Sequence, residues 1–413
     1  MGSGYNGSNS LNRGRLWAFS VVLVLLLLLV QELLFRFVFP IPEIANFNRI
    51  DYSMMVAGVD NVDLQPLENS SYSWASDPDG AEFVHHLNLY GFRDHDWPVD
   101  SDKTRVMFLG DSFVEGFMAA DDQTISRGFE EAARADAETG SSVETINLGT
   151  GASGIANYLE LISDAVPIFN PDTVVMVLYA NDFPAPDDLD AHLRTAKTPL
   201  RSSHYLPRAW RVISQLIKHQ PVATRWHKKP FMFLPSQDSS RSPLSDPAFT
   251  NNVSEYVDSD ILASMRTGRF NPFVINEYSN YEHYLKMPVD IVEVIERTKE
   301  QVEKLGSQLM IVHIPYRSQV SDYYLQFTRK FDKNKNESSL TSAAYQIHAD
   351  YLQALCLQQG IAYLDMTAIL RQFEDKGEHV YWDYDEHMKG SSYLLTGRMI
   401  FELWENQREL GIN

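Results

Sequence analysis

From Arg105 onward, short and mostly apolar runs alternate with longer segments in which apolar residues recur every three or four positions. The runs are Arg105–Leu109, Val143–Leu148, Thr173–Ala180, Gln308–Ile314 and Ile361–Asp365. Their length, β-branched content and lack of polar alternation predict strands buried on both faces. The periodic segments predict helices near 123–138, 155–166, 288–304, 341–358 and 391–408. Pro288 suits a helix start, and Gly306 and Gly360 suit helix ends. Strands alternating with helices predict an α/β fold, a five-stranded parallel sheet in a three-layer α/β/α sandwich. In such sheets reactive groups gather at the carboxyl ends of the strands, which marks the loops to search.

The N-terminus has a different pattern. Leu16 to Val30 is apolar but for Ser20, and Leu33 to Phe39 extends the run past Gln31, Glu32 and Arg36. As one helix it would be about 36 Å long, enough to cross a bilayer. Glu32 and Arg36 are four apart and can pair near the interface. Arg13 and Arg15 precede the run and no basic cluster follows closely, so the positive-inside rule places the first residues in the cytoplasm and everything after Pro40 outside. A cleaved signal peptide is the rival reading, although no small-x-small site closes the run.

The chain therefore divides into a disordered cytoplasmic tail (1–15), a transmembrane signal anchor (16–39), a leader packing on the domain (40–103), the first part of the α/β domain (104–183), an insertion or lid (184–285) and the second part of the domain (286–413). The insertion is rich in Pro, Ser, Asp and aromatics and lacks a clear sheet period. A structureless loop of that length is improbable, so it reads as a subdomain, as a lid over the third strand's carboxyl end, or as decoration without a role in binding.

Charge narrows the function. Against 35 Lys+Arg stand 55 Asp+Glu, a net charge of -20, which repels phosphate backbones and argues against a nucleic-acid partner. Cys356 is the single cysteine, so no internal disulfide forms, and its leucine neighbours place it inside a helix. His85-His86 has no visible partner for holding a metal and reads as a surface feature. Neither a metal nor an organic cofactor is called for.

The candidate chemistry begins at the first strand, which runs through Val106-Met107-Phe108-Leu109 into Gly110-Asp111-Ser112-Phe113. A tight turn between strand and helix presents Oγ of Ser112 at the sheet edge, with backbone N–H groups facing developing negative charge. The same tripeptide also fits a plain helix cap. The second strand ends in Gly149-Thr150-Gly151-Ala152-Ser153-Gly154, whose N–H groups could point at an oxyanion or simply make a turn. The third ends in Ala180-Asn181-Asp182, a carboxamide donor at the same edge or an Asx turn. Near the C-terminus lies Asp383-Tyr384-Asp385-Glu386-His387. In an extended loop, side chains two apart point the same way, so Asp385 can hold His387 while the imidazole reaches the serine.

This ordered set resembles the SGNH (GDSL-like) hydrolase superfamily, over roughly Asn88 to Trp404 with the insertion interrupting it. Ser112 matches the block I serine, Asn181 the block III asparagine and His387 the block V histidine. Block II falls on Gly149 to Gly154, with Gly151 chosen and Ala152 the alternative. The common pattern has the aspartate three residues before the histidine, where this chain has Tyr384. The Asp-x-His spacing is similar to a membrane-associated branch that includes alginate O-acetyltransferases, which selects Asp385, with Asp383 in reserve. Asn88-Leu89-Tyr90-Gly91-Phe92-Arg93-Asp94 is similar to leaders of anchored bacterial members.

The resemblance implies a flavodoxin-like SGNH fold and an extracytoplasmic serine esterase. Ser112, Asp385 and His387 would be catalytic, and Ser112, Gly151 and Asn181 would meet the oxyanion. The implied substrate is an ester, foremost O-acetyl groups of a cell-surface or exported polysaccharide. The same groups would serve a polysaccharide O-acyltransferase, and a non-catalytic binding or assembly module is the remaining reading.

Overall fold

The computed structural model describes residues 8–37, 71–75, 82–88, 90–136, 139–140, 142–151, 153–183, 257–266, 291–331, 339–341 and 345–409. They fall into two units, one holding helix α1 (Ser8–Phe37) and the other every remaining element. Within α1, Trp17–Leu34 is long and apolar enough to cross a membrane, as an anchor or a signal sequence would be. The helix begins at Ser8, so residues 8–15 are helical where a disordered tail was expected. Once the apolar stretch nucleates a helix, extending it through a polar turn adds one hydrogen bond per residue fixed. Residues 1–7 of that tail lie outside the described residues.

In the second unit a hairpin of β1 (Ser71–Ala75) and β2 (Glu82–His86) precedes β3 (Thr104–Leu109) and the short helix α2 (Ser112–Glu115). Then come α3 (Ile125–Ala135), β4 (Val143–Asn147), α4 (Ile155–Phe169) and β5 (Thr173–Leu178). After α5 (Ser259–Arg266) follow α6 (Val292–Lys304), β6 (Gln308–His313), α7 (Arg317–Val320), α8 (Leu325–Phe331), α9 (Ile347–Gln359), β7 (Ala362–Asp365), α10 (Thr367–Glu374) and α11 (Gly390–Glu409).

Strands β3 to β7 form one parallel sheet in the order β4-β3-β5-β6-β7. This is an α/β fold, and all five expected strands are in it. Phe108 of β3 stands opposite Asn147 of β4 on one side and Val175 of β5 on the other. Period-two alternation sends Val106, Phe108, Val175, Val177, Met310 and Val312 into one cluster with Ile125 and Phe129 of α3 and Ile400, Phe401 and Trp404 of α11. Burying each such side chain contributes about 1.5–3 kcal/mol. The indole N–H of Trp404 donates to Thr173 Oγ1 at 3.1 Å, so the ring is buried without a polar penalty. Cys356 is buried on α9, and burial pushes its thiol up to about 12.

The leader, expected to pack on the domain, carries regular structure of its own. It forms the β1–β2 hairpin, and its loop from Leu87 to Trp97 buries Leu87, Asn88, Tyr90, Phe92, Arg93 and Trp97. Asn88 Oδ1 accepts the N–H groups of Tyr90 and Phe92, and the Tyr90 and Trp97 rings stack at 5.4 Å against Phe169. The start of the leader, at 40–70, lies outside the described residues, as does Pro288. Of the insertion, only 257–266 is described; there Val257, Ile261 and Leu262 are buried, and the Asp258 N–H donates to the Lys330 carbonyl at 2.8 Å. Its role as lid or subdomain falls on residues outside that stretch.

Candidate active site

Strand β3 delivers its last residues to the carboxyl edge of the sheet, where the chain turns at Gly110 and Asp111 caps α2. Asp111 Oδ1 accepts the Phe113 N–H at 2.9 Å, satisfying one of the orphan donors of the helix start. The helix lasts four residues because Gly116 takes a left-handed φ of 86°, which a residue with a Cβ adopts only under strain. Ser112 thus sits in a turn held at both ends, and its N–H makes no hydrogen bond among the described residues.

The loop after Val380 comes back to this turn. A bridge between Tyr381 and Met388 makes it a tight antiparallel return, with the Trp382 N–H donating to the His387 carbonyl at 3.1 Å. Within it, His387 Nε2 lies 2.7 Å from Ser112 Oγ, and His387 Nδ1 lies 2.5 Å from Asp385 Oδ1. The same Asp385 oxygen accepts the His387 N–H at 2.9 Å, which locks the two-residue spacing. All three residues are buried. Phe113 and Phe117 flank the imidazole at 5.1 and 5.2 Å between ring centroids, the second of them stacked. Asp383, the reserve candidate, faces elsewhere: its carboxylate accepts from Tyr323 Oη at 3.3 and 3.4 Å. A serine, an imidazole and a carboxylate in this sequence can activate the hydroxyl and carry its proton.

The neighbouring strand ends are also occupied. Asn181 is the middle residue of a single 3-10 turn after β5 (Ala180–Asp182) and donates from Nδ2 to Asp111 Oδ2 at 3.1 Å. Asp182 closes that turn, accepting the Tyr179 N–H at 2.8 Å and the Tyr158 hydroxyl at 2.6 Å. Burial raises the carboxyls of both Asp111 and Asp182, and the charge of Asp111 raises that of Asp182 further. Gly151 is a correction. Its N–H donates to Glu115 Oε2 at 2.8 Å, so the loop amide expected to meet an oxyanion is committed to a buried carboxylate instead. Its alternative, Ala152, lies outside the described residues. The loop is drawn this close at Gly149, where a Cβ would fall 2.1 Å from the Glu115 nitrogen.

Several supporting residues escaped the sequence. Glu115 stands in a helix otherwise made of Ser, Phe and Val, and its other oxygen meets His85 Nδ1 at 3.2 Å. His85 is therefore no surface feature: it is fully buried, and burial followed by the nearby Arg93 charge lowers it to about 4, leaving it neutral. Its neighbour His86 is exposed, 2.5 Å from Asp121 Oδ2. Arg93 donates to the carbonyls of Glu115, Gly116 and Ala119, just past Ser112, and to Asp121. Arg317, fully buried, donates to the carbonyls of Trp382, Asp383 and Asp385 and so holds the loop that carries the imidazole. An arginine among the leader aromatics, and an acid in an apolar helix start, were signals available for Arg93 and Glu115. Nothing near Arg317 announces carbonyls 65 positions away. No cluster of three or more His, Cys, Asp or Glu suited to a metal occurs among the described residues.

No protein-family model matches the chain, and no curated protein matches it. Solved structures similar to it include a gut microbial diltiazem-metabolizing enzyme, at 8% identity and TM-score 0.36, covering 75% of this chain. This chain spans 48% of that enzyme's length. An acetyl xylan esterase is similar at 12% identity and TM-score 0.32, over 73% of this chain and 98% of its own. An alpha/beta hydrolase from the metagenome of Lake Arreo, Spain, is similar at 10% and 0.34, over 74% and 95%. At these identities the site has to be read from its own residues.

Proposed function

We propose that the protein is a serine ester hydrolase of SGNH type, built as a three-layer α/β/α sandwich of flavodoxin-like strand order and tethered by α1 with its catalytic unit outside the cytoplasm. The observation that carries this reading is the 2.7 Å approach of His387 Nε2 to Ser112 Oγ, with Asp385 on the other ring nitrogen. In the proposed reaction Ser112 Oγ bonds to the ester carbonyl carbon while its proton passes to His387 Nε2. The imidazolium then returns that proton to the departing alcohol as the carbon–oxygen bond breaks. Water repeats the sequence on the acyl-serine and releases the acid. Asp385 keeps the ring in the tautomer that leaves Nε2 free to accept.

A carbohydrate ester, foremost O-acetyl groups of a polysaccharide, is the substrate class this reading favours. Trp382 stands directly opposite His387 in the antiparallel return, so the indole projects to the same face as the imidazole. Its N–H is taken by the Met118 carbonyl at 2.9 Å, and Phe83 lies 5.8 Å away. These partly buried rings offer apolar faces beside the catalytic loop, a suitable wall for sugar C–H groups. Arg13 and Arg15, in the first turns of α1 and ahead of its apolar stretch Trp17–Leu34, support the outward orientation.

The test is fluorophosphonate labelling of the wild type, Ser112→Ala and His387→Ala, followed by incubation with an acetylated oligosaccharide and a labelled sugar acceptor. Labelling lost in both variants, with free acetate released by the wild type, supports hydrolysis. Labelled ester would reassign the chemistry to acyl transfer, and an unlabelled, folded wild type would sink the enzyme reading.

A further inference from the structure

We infer that Asp111 is a positioning residue whose carboxylate decides which end of the Asn181 carboxamide faces the reacting carbonyl oxygen. This rests on the hydrolase reading and adds to it the residue that sets the oxyanion site. An ionised carboxylate only accepts hydrogen bonds, so it can be met by the NH2 end of an amide and not by its oxygen. Asp111 Oδ2 receives Asn181 Nδ2 at 3.1 Å. Asn181 Oδ1 is buried without a hydrogen-bond partner, so the amide's orientation depends on that single bond. Turning the amide over would set Oδ1 against Asp111 Oδ2, acceptor against acceptor, and would aim a lone pair at developing negative charge.

With the amide so held, its second N–H is left for substrate. Asp111 immediately precedes Ser112, so the anchored amide lies beside the nucleophile. Both partners are themselves fixed, Asp111 by the Phe113 N–H on its other oxygen and Asn181 by the turn that Asp182 closes. The demand on Asn181 is greater because the Gly151 N–H is given to Glu115. That leaves the Ser112 N–H and Asn181 Nδ2 as the oxyanion donors, and Asp111 governs the second.

The experiment measures hydrolysis of 4-nitrophenyl acetate and thermal unfolding for full-length wild type, Asp111→Ser, Asp111→Thr, Asn181→Ala, the Asp111→Ser/Asn181→Ala double variant and Ser112→Ala. Serine remains a good cap for α2 but is too short to reach Asn181. Asn181→Ala should lower kcat on the order of 100-fold, and Asp111→Ser by about 10- to 100-fold, with KM within about twofold in each. The double variant should be no more than about twofold slower than Asn181→Ala, since Asp111 acts through Asn181. Wild-type kcat in Asp111→Ser, or losses that multiply in the double variant, would overturn the inference. Should Asp111→Ser unfold, Asp111→Thr, also a cap for α2 and also too short to reach Asn181, carries the same comparison. The hydrolase reading fails by a different result, namely an inert wild type or an active Ser112→Ala.

Discussion

Across 275 positions of sequence, His387 Nε2 comes within 2.7 Å of Ser112 Oγ. The approach assigns the carboxylate partner as well, because Asp385 and Asp383 flank the same loop but only Asp385 touches the ring. Asp385→Asn should lower kcat by about four orders of magnitude, through loss of the productive tautomer. Asp383→Asn, which alters only a Tyr323 contact, should stay within about threefold of wild type. Steady-state ester hydrolysis by the two variants checks the choice, and equal losses would refute it.

Arg317 ties three carbonyls of the imidazole-bearing loop. Truncating it leaves buried acceptors unpaired, each at about 1–3 kcal/mol. Arg317→Ala is expected to lower stability by about 3 kcal/mol and to depress activity more than it raises KM. Denaturant unfolding beside steady-state kinetics would show this; an unchanged unfolding midpoint would contradict it.

His85 makes acid stability a readout of the leader. Its folded pKa of about 4 lies below the unfolded 6.5, so the unfolded state binds the extra proton as pH drops. The contribution is fully present above pH 6.5 and is lost progressively as pH falls toward 4, on the order of 3 kcal/mol in all. Urea unfolding at pH 7 and pH 4.5 should separate wild type from His85→Phe, whose curve should be flatter over that interval.

Cys356 supplies a test of packing on α9. With its thiol buried and pushed up to about 12, it should resist alkylation by iodoacetamide at pH 8 and react at once in denaturant. Mass spectrometry of the native and unfolded protein distinguishes the two, and rapid native labelling would mean that α9 opens locally.

Much of this was legible because buried parallel strands are written as unbroken apolar runs, and Ser112, Asn181 and His387 follow strand ends or stand in a short polar motif. The β1–β2 hairpin was not, since Glu82-Phe83-Val84-His85-His86 carries neither an apolar run nor clean alternation. His85 looked superficial because its partner Glu115 is 30 positions on. Gly151 was a reasonable oxyanion donor on chain order alone. Only the fold shows Glu115 already bonded to its N–H. The four-residue helix α7 is too short to show a period, and Arg317 at its start is the extreme case.

Strand β4 ends the sheet, and Asp94 Oδ2 receives the outward N–H of its residue Asn147 at 3.0 Å, while Arg127 pairs with the other Asp94 oxygen. An uncovered edge strand offers its amides as a template for another chain. Asp94 of the leader therefore covers the last outward amide of that edge, as Glu130 of α3 covers Thr145, while Arg93 and His85 of the same leader brace the turn that carries Ser112. Displacing the leader would loosen that turn and bare an edge amide in one step, so disturbance at Ser112 and a greater tendency to self-associate should arise together.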